Sequence, residues 1–402
     1  MIINFKLKNY NSYKEEAMLD FEKKSKEKSG TKFIIEETNL ELLRAIALVG
    51  VNGSGKTSLL EGLDFMKSMV LNSQNHNVNT NIVYSPFLTN VGKPIEFEIT
   101  FVSEEKRYIY GFSYTNQKIL KEYAKVYETQ KPTEIFFRDE EKEENEKFKF
   151  SEKYEKELKG LSISVIPQTL MLSKAVQSNS KILKPIYDFF TKMYTINHIF
   201  ANPFDFSLLK DKKLKEELLE KLSFADFSIT DLELIKGIQK HVNLIQIKDS
   251  TTLKQDVIEK EINDLILIHK HDKTNLKINF LAESSGTQKF ILMFYNLLKL
   301  SKDSIILYDE IETSFNIEIV EFIVNHFAKP NNSSQIIFTT HQSDILNYLR
   351  SDQINIIEKK DSISKIINLH SLVRNNPKIN KNYGDYYKEG VLGGFPNVYK
   401  ED

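Results

Sequence analysis

The sequence predicts an α/β protein: a mainly parallel sheet, an antiparallel β-subdomain and an inserted, partly helical arm. Three observations carry this expectation. The apolar run Ala45-Ile46-Ala47-Leu48-Val49 leads into a glycine-rich loop and then into apolar residues at helical spacing. Residues 94–128 alternate and are rich in β-formers. The final third alternates strand and helix patterns, the mark of a mainly parallel sheet.

Composition sets the limits. The 402 residues are 41% hydrophobic and 28% charged, as in globular proteins. At roughly 100–200 residues per domain, this length suggests two or three units, or one domain with a large insertion. The formal net charge of −1 argues against a surface devoted wholly to nucleic acid. Only five of the 55 basic residues are arginine (Arg44, Arg107, Arg138, Arg350, Arg374), which disfavours bidentate reading of bases. The absence of cysteine excludes disulfides, thiolate zinc sites, zinc hooks, iron–sulfur clusters and cysteine nucleophiles. No apolar run approaches the ~18–20 residues of a membrane span, and Met1-Ile2-Ile3-Asn4-Phe5-Lys6 lacks a signal-peptide layout. The expectation is a soluble, cytoplasmic protein with no membrane partner.

Along the chain, Ile2, Phe5 and Leu7 read as a strand before the turn-like Asn9-Tyr10-Asn11-Ser12-Tyr13, with a second strand at Met18, Leu19 and Phe21. Ala45 to Val49 fits a strand buried on both faces, and Leu59, Leu60, Leu63, Met66 and Val70 form a helix after the loop. Ile95, Phe97, Ile99, Phe101, Tyr108, Tyr110 and Phe112 predict antiparallel hairpins. Nine acidic and six basic residues crowd between Asp139 and Gly160, a solvated helix or loop rather than an interaction tail. Residues 178–226 look helical, with Leu214, Leu218 and Leu222 on one face. Residues 230–282 lean to strand, with a charged helix expected near Gln255 to Asp264. Then follow a helix from Gln288, a strand at 304–308, a helix at 317–328, a strand at 335–339 and a helix at 343–350. The expected domains are 1–177, 178–280 and 281–402.

Gly50-Val51-Asn52-Gly53-Ser54-Gly55-Lys56-Thr57 fills the pattern G-x-x-x-x-G-K-[ST]. Its glycines let successive backbone N–H groups curl around phosphates, and the helix N-terminus adds a favourable dipole. Lys56 would reach the β- and γ-phosphates, the Thr57 hydroxyl would ligate Mg²⁺, and Asn52, Gly53, Ser54, Gly55 and Ser58 complete the cradle. Ser304-Ile305-Ile306-Leu307-Tyr308-Asp309-Glu310 is an apolar strand ending in two carboxylates. Asp309 would hold Mg²⁺ and Glu310 would polarise the attacking water. Glu283-Ser284-Ser285-Gly286-Thr287-Gln288-Lys289 reads either as a second anion nest or as a simple helix start capped by Ser285. Ile336-Ile337-Phe338-Thr339-Thr340-His341 ends a strand in a histidine 31 residues after Glu310, placed to reach a γ-phosphate. His269 and His271 fall on one strand face and read as surface residues rather than metal ligands. Gly390, Gly393, Gly394 and Pro396 suggest a docking loop. The 61 residues after His341 are short for an appended TOPRIM-type domain, so no self-contained nuclease is expected.

These four motifs, in this order, resemble the ABC-type ATPase head (a P-loop NTPase) of SMC-like, DNA-repair and transporter ATPases: Walker A, signature, Walker B and switch histidine. Lys56 and Ser285 stand 229 residues apart, leaving room for an inserted arm of roughly 100 residues. As a helical hairpin it would reach at most ~75 Å at 1.5 Å rise per residue. The opening Phe5 to Tyr13, Glu283 to Lys289, Asp309 to Ser314 and Tyr387 to Pro396 resemble a bacterial AAA/ABC-like group. That group includes the AbiL and RloA type abortive-infection ATPases and the ATPase components of PARIS-like anti-phage systems. The resemblance implies ATP and Mg²⁺ as cofactors and a homodimer or higher assembly sandwiching ATP. Ser285, Gly286 and Thr287 would donate to the partner's γ-phosphate. It also implies a separately encoded effector, nuclease or toxin, and a phage protein or DNA as trigger. Gln177 is chosen over Gln168 as the Q-loop glutamine that reaches the metal. Asn11 stands where relatives often carry Arg, and Ser314-Phe315-Asn316 lacks the His-Pro that commonly follows the D-loop. The competing expectation is a DNA-repair or SMC-like clamp on DNA, with a transporter motor third.

Overall fold

The structure, a computed structural model, describes residues 1–24, 34–37, 40–196, 205–224, 228–246, 253–271, 274–300, 303–313, 315–328, 333–376, 379 and 382–393. Contacts divide the chain into two units, Met1–Thr195 with Ser301–Asp402, and Ile196–Leu300. The first unit thus keeps residues 178–195, and the second takes in 281–300.

The first unit has the expected α/β class. Its parallel sheet contains β5 (Ala45–Val49), β11 (Met193–Thr195), β15 (Ile305–Tyr308), β16 (Gln335–Thr340), β17 (Ile354–Lys360) and β18 (Ile363–Asn368), in the order β11-β15-β16-β5-β17-β18. Only the β17–β18 pairing is antiparallel. All five residues of β5 are buried, as a strand covered on both faces requires. A second, seven-stranded antiparallel sheet contains β1 (Ile2–Lys8), β2 (Ala17–Asp20), β6 (Ile95–Ser103), β7 (Lys106–Tyr114), β8 (Ile119–Tyr127), β9 (Pro132–Asp139) and β10 (Phe148–Phe150). The expected hairpins at 94–128 are β6, β7 and β8. Two short strands, β3 (Ile34–Glu37) and β4 (Leu40–Leu43), pair with each other in a separate sheet.

Helix α1 (Lys56–Asn72) lies between the two sheets. Its Leu59, Leu63, Met66 and Val70 share one core with Ile46, Leu48, Ile305, Leu307 and Ile337 of the parallel sheet and Leu7, Ile99 and Phe101 of the other. Each such fully buried side chain contributes about 1.5–3 kcal/mol. Gly62 permits the close approach, because a Cβ there would stand 3.1 Å from Leu7 and 3.3 Å from Phe97. Phe97 is also the hub of an aromatic cluster with Phe5, Tyr10, Phe65, Phe112 and Tyr114. Tyr10 belongs to the Asn9–Tyr13 turn, so this cluster fixes the turn that later meets the phosphate loop. The turn is tight: Asn9 and Asn11 take positive φ, and Tyr10 and Tyr13 exchange backbone hydrogen bonds.

Helices α2 (Glu152–Ser162), α3 (Met171–Gln177) and α4 (Lys184–Thr191) close the antiparallel side. The buried Arg138 organises this region. Its Nη1 donates to the Thr169 carbonyl at 2.7 Å, and its Nη2 to Ile166 at 3.1 Å and to Glu140 at 2.7 Å. Buried Glu122 lies 3.7 Å away and accepts the N–H groups of Met171 and Leu172 at the start of α3. Burial pushes the Glu122 carboxyl up, and the Arg138 charge and these two N–H groups oppose that.

The second unit corrects one expectation. Gln255 to Asp264 is not a helix: it lies within β13 (Leu253–His271), paired antiparallel with β12 (Ile229–Gln246). A long ladder of backbone hydrogen bonds overrides the helix preference of the charged residues. The insertion is therefore a β-hairpin, extended by β14 (Thr274–Asn279), rather than the helical hairpin. Helices α5 (Lys212–Phe224), with Leu218 and Leu222 buried, and α6 (Ser285–Lys299) supply its helical part. In the first unit, α7 (Ile317–Ala328) matches expectation, but 343–350 is 3-10 in character at Ser343–Tyr348. The β17–β18 hairpin that follows was not anticipated, although Ile354, Ile356, Ile357, Ile363, Ile366 and Ile367 are a clear β-branched signal. Helices α8 (Leu369–Asn375) and α9 (Tyr383–Lys388) end the described chain, apart from a short turn. Gly390 and Gly393 lie in that turn at positive φ, whereas Gly394 and Pro396 lie outside the described residues. No helix among the described residues is long and apolar enough to cross a membrane.

Replacing Arg138 with Met should lower stability in urea by about 3–5 kcal/mol, because Glu122 is left buried without its partner. Arg138→Met with Glu122→Gln should recover part of that loss, since the neutral amide oxygen still accepts the Met171 and Leu172 N–H groups.

Candidate functional site

Gly55 has φ +112° and serves as N-cap of α1, with no side chain capping the first-turn N–H groups. Those groups remain free to meet an anion. Gly53, also at positive φ (+74°), has nothing within 4 Å of its Cβ position. The loop is braced from outside. Ser364 on β18 donates its hydroxyl to the Ser54 carbonyl at 2.5 Å, and its Oγ lies 2.7 Å from Ser12 Oγ. Ser364 N–H donates to the Ser12 carbonyl at 2.8 Å, and the Tyr13 hydroxyl donates to the Gly55 carbonyl at 3.0 Å. A Cβ on Gly55 would come within 2.6 Å of Ser364 Oγ and 2.7 Å of Ser12 Oγ. Position 55 therefore needs glycine for two reasons, its φ and its neighbours.

Lys56 is buried and donates to the carbonyls of Gly50 at 2.8 Å and Val51 at 3.0 Å. Desolvation pulls its ammonium pKa down, opposed by the charges of Asp309, Glu312 and Glu310. A cation held by the loop's own carbonyls and short of solvent is ready to trade those contacts for a phosphate.

The carboxylates arrive from the neighbouring strands. Asp309, just past β15, accepts from Thr57 Oγ1 at 3.0 Å and from Thr339 Oγ1 at 2.6 Å. Thr339 Oγ1 in turn accepts the Glu310 N–H at 2.6 Å. Glu310 sits at φ +50°, an uncommon setting for a non-glycine residue and a form of strain found at functional sites. His341, just past β16, places Nε2 3.9 Å from Glu310 Oε1, and its backbone N–H donates to Glu312. Burial, then the Asp309 charge, raise the Glu61 carboxyl. Thr57 Oγ1 and the Asp309 carboxylate are hard oxygen donors about as far apart as adjacent corners of an octahedron with ~2.1 Å metal–oxygen bonds. The pair fits Mg²⁺, which bound there would neutralise phosphate charge.

Asn52, Gly53, Gly55, Lys56, Thr57, Ser58, Glu310 and His341 line one cavity of about 320 Å³. Ser54 is buried behind the loop, and Asp309 joins through Thr57. Gln177 is not brought there. It ends α3, where its side chain accepts from Lys174 at 3.2 Å. Ser173 in the same helix bonds Gln74, just past the C-terminus of α1. The phosphate loop stands at the opposite end of that 17-residue helix, about 25 Å away at 1.5 Å per residue. Gln168 sits beside His76 at the same far end. Four lining or bracing residues had no role assigned from sequence: Ser12, Thr339, Lys359 and Ser364. Only the Thr339-Thr340 pair before His341 gave a local hint.

Ser285, Gly286 and Thr287 lie in the second unit. The capping residue is Ser284 rather than Ser285: Ser284 Oγ accepts the Thr287 N–H at 3.1 Å and lies 2.8 Å from its hydroxyl. Thr287 is turned inward, while Ser285 is exposed. Gln288 donates to the carbonyls of Leu281 and Glu283, preforming the loop. His269 is not a free surface residue: Nδ1 lies 2.9 Å from Ser228 Oγ and Nε2 2.5 Å from Glu283 Oε1. Among the described residues no cluster of three or more His, Asp or Glu could hold a metal by itself.

Residues 45–347 match the family described as "AAA domain, putative AbiEii toxin, Type IV TA system". The chain belongs to this family. Comparison with the curated proteins gives no match. Among solved structures it is similar to the SMC head domain from Thermotoga maritima (11% identity, TM-score 0.44), covering 91% of this chain and 98% of that one. It is also similar to an Smc head bound to the C-winged helix domain of ScpA, at 14% identity and TM-score 0.43, covering 93% and 99%. A third likeness, at 12% and 0.42, covers 94% of this chain and 98% of an Smc head with an extended coiled coil. That head is bound to the C-terminal domain of ScpA derived from Pyrococcus furiosus.

Gly55→Ala should destabilise the protein by about 1–3 kcal/mol in urea unfolding. Adding Ser364→Ala should not restore that loss, because Ser12 Oγ still crowds the new Cβ and the brace to the Ser54 carbonyl is gone.

Proposed function

We propose that the protein binds ATP with Mg²⁺ at this cavity and hydrolyses it. The observation that carries the reading is the Thr57–Asp309 contact, which ties the phosphate loop to the strand-end carboxylate beside Glu310 and His341. In this reading Gly53, Gly55 and the first turn of α1 bind the β-phosphate, and Lys56 bridges the β- and γ-phosphates. Thr57 and Asp309 hold the metal. Glu310 accepts the proton of the attacking water, and His341 orients the γ-phosphate. Catalysis of this kind rests on positioning and electrostatics, with no covalent intermediate on the chain.

The ABC-type reading extends this to a homodimer in which Ser285 and Gly286 of one copy approach the γ-phosphate held by the other. Support comes from the motif order and from the exposed, preformed start of α6. Thr287 has its hydroxyl turned inward and its N–H given to Ser284 Oγ, which leaves Ser285 and Gly286 to make such contacts. The family description, with its putative AbiEii toxin and type IV toxin–antitoxin system, supports work in a toxin–antitoxin setting. The further reading, a sensor in bacterial abortive infection that controls a separately encoded effector, rests on the motif resemblance. A clamp acting on DNA is the competing role.

Glu310→Gln should bind ATP but turn it over at least about a hundredfold more slowly, the lower end of the range for one general base. Phosphate release and sizing with ATP check this, with a shift to dimer in the variant. Unchanged turnover removes Glu310 from the mechanism. Pull-down with neighbouring gene products should yield a stoichiometric small protein, whereas recovery of DNA alone favours the clamp.

A further inference from the structure

Two lysines line the cavity, Lys56 and Lys359, and only the first belongs to the phosphate loop. Lys359 stands near the end of β17. That strand runs parallel to β5, with Ile356 opposite Val49, so the residues after Ile356 climb beside the loop that follows Val49. The approach is close: a Cβ on Gly50 would lie 2.4 Å from the Ile357 carbonyl oxygen. Within the hairpin Lys359 is the cross-strand partner of Ser364. Directly paired residues point to the same face of a sheet. Ser364 reaches the Ser54 carbonyl, so Lys359 shares the face turned to the phosphate loop. Its neighbour Glu358 points the other way, against Gly393, whose Cβ position lies 3.4 Å from Glu358 Oε1. Among the described residues Lys359 has no salt-bridge partner, although many other lysines of the chain do.

The sheet order fixes which part of a ligand Lys359 would meet. Asp309, Glu310 and His341 come from β15 and β16, on one flank of β5, while Lys359 comes from β17 on the other. A nucleotide with its terminal phosphate toward Asp309 and Glu310 therefore extends its α-phosphate and ribose toward β17. A lysine is a compact charge on a flexible stem, suited to a phosphate oxygen at an open rim.

We infer that Lys359 is a nucleotide-binding residue contacting the α-phosphate side of a bound nucleoside di- or triphosphate. It raises affinity for ADP and ATP alike and takes no part at the γ-phosphate. This rests on the proposed nucleotide site and adds a contact from the C-terminal hairpin.

The test is calorimetric titration of the full chain with ADP and with ATP, each with Mg²⁺, for wild type, Lys359→Ala and Lys359→Arg. Lys359→Ala should weaken both nucleotides by about tenfold, the low end for one charged hydrogen bond. Lys359→Arg should stay within about threefold of wild type, since the charge is kept. Melting without nucleotide should be the same for all three, because Lys359 is exposed. Unchanged affinity in Lys359→Ala overturns the inference. A loss for ATP alone does so too, because it moves the lysine to the γ-phosphate. Wild type that binds neither nucleotide overturns the nucleotide reading itself, a different result from either.

Discussion

The Ser364 hydroxyl holds the site together. It joins three stretches far apart in sequence: the Asn9–Tyr13 turn, the phosphate loop and the β17–β18 hairpin. A loop with glycines at positive φ has no side-chain packing of its own, so its shape must be imposed by neighbours. Here Ser12 and Ser364 fill the space a Cβ would need at Gly55, and Tyr13 takes the Gly55 carbonyl. The turn that supplies Ser12 and Tyr13 is fixed in its turn by Tyr10 in the Phe97 aromatic cluster. The core of the antiparallel sheet thereby sets the geometry of a loop on the parallel one.

On the other flank a chain of hydroxyls and carboxylates does the same for the charged groups. Thr339, wholly buried in β16, links Asp309 to the Glu310 backbone. Asp309 reaches Thr57 at the start of α1. Each link is a charge-assisted or short hydrogen bond, and the two through Thr339 are sheltered from solvent, where such bonds are strongest. The result is a cavity whose acids stand on one side of the phosphate loop and whose second cation, Lys359, stands on the other. That polarity follows from strand order alone.

The inserted unit illustrates how pairing overrides local preference. Glu259, Lys260, Glu261 and Asp264 are ordinary helix-surface residues in sequence, yet they lie in a strand because β12 pairs with it in register along almost its whole length. The hairpin then leads through β14 to the start of α6, where His269 and Glu283 meet. Two polar side chains, Ser284 and Gln288, shape that start, so its form does not depend on hydrophobic packing.

The phosphate loop, Asp309, Glu310 and His341 were legible in the sequence because each is local chemistry. A glycine pattern between a strand and a helix, or an acid at the end of an apolar run, carries its meaning within a few residues. The α/β class and the antiparallel hairpins were legible for the same reason, through periodicity. Gln177 misled because its motif has no local chemistry: a glutamine after an apolar run is common, and only packing shows it at the wrong end of α1. Ser12, Ser364 and Lys359 were silent, and Thr339 nearly so, because their roles exist only across strands, between residues as much as 352 positions apart. Register and strand order are set by how sheets bury their faces, which no short stretch of sequence specifies. The sequence by itself determined which groups could do phosphate chemistry. The tertiary structure decided which were brought to one cavity, and on which side of the loop each stands.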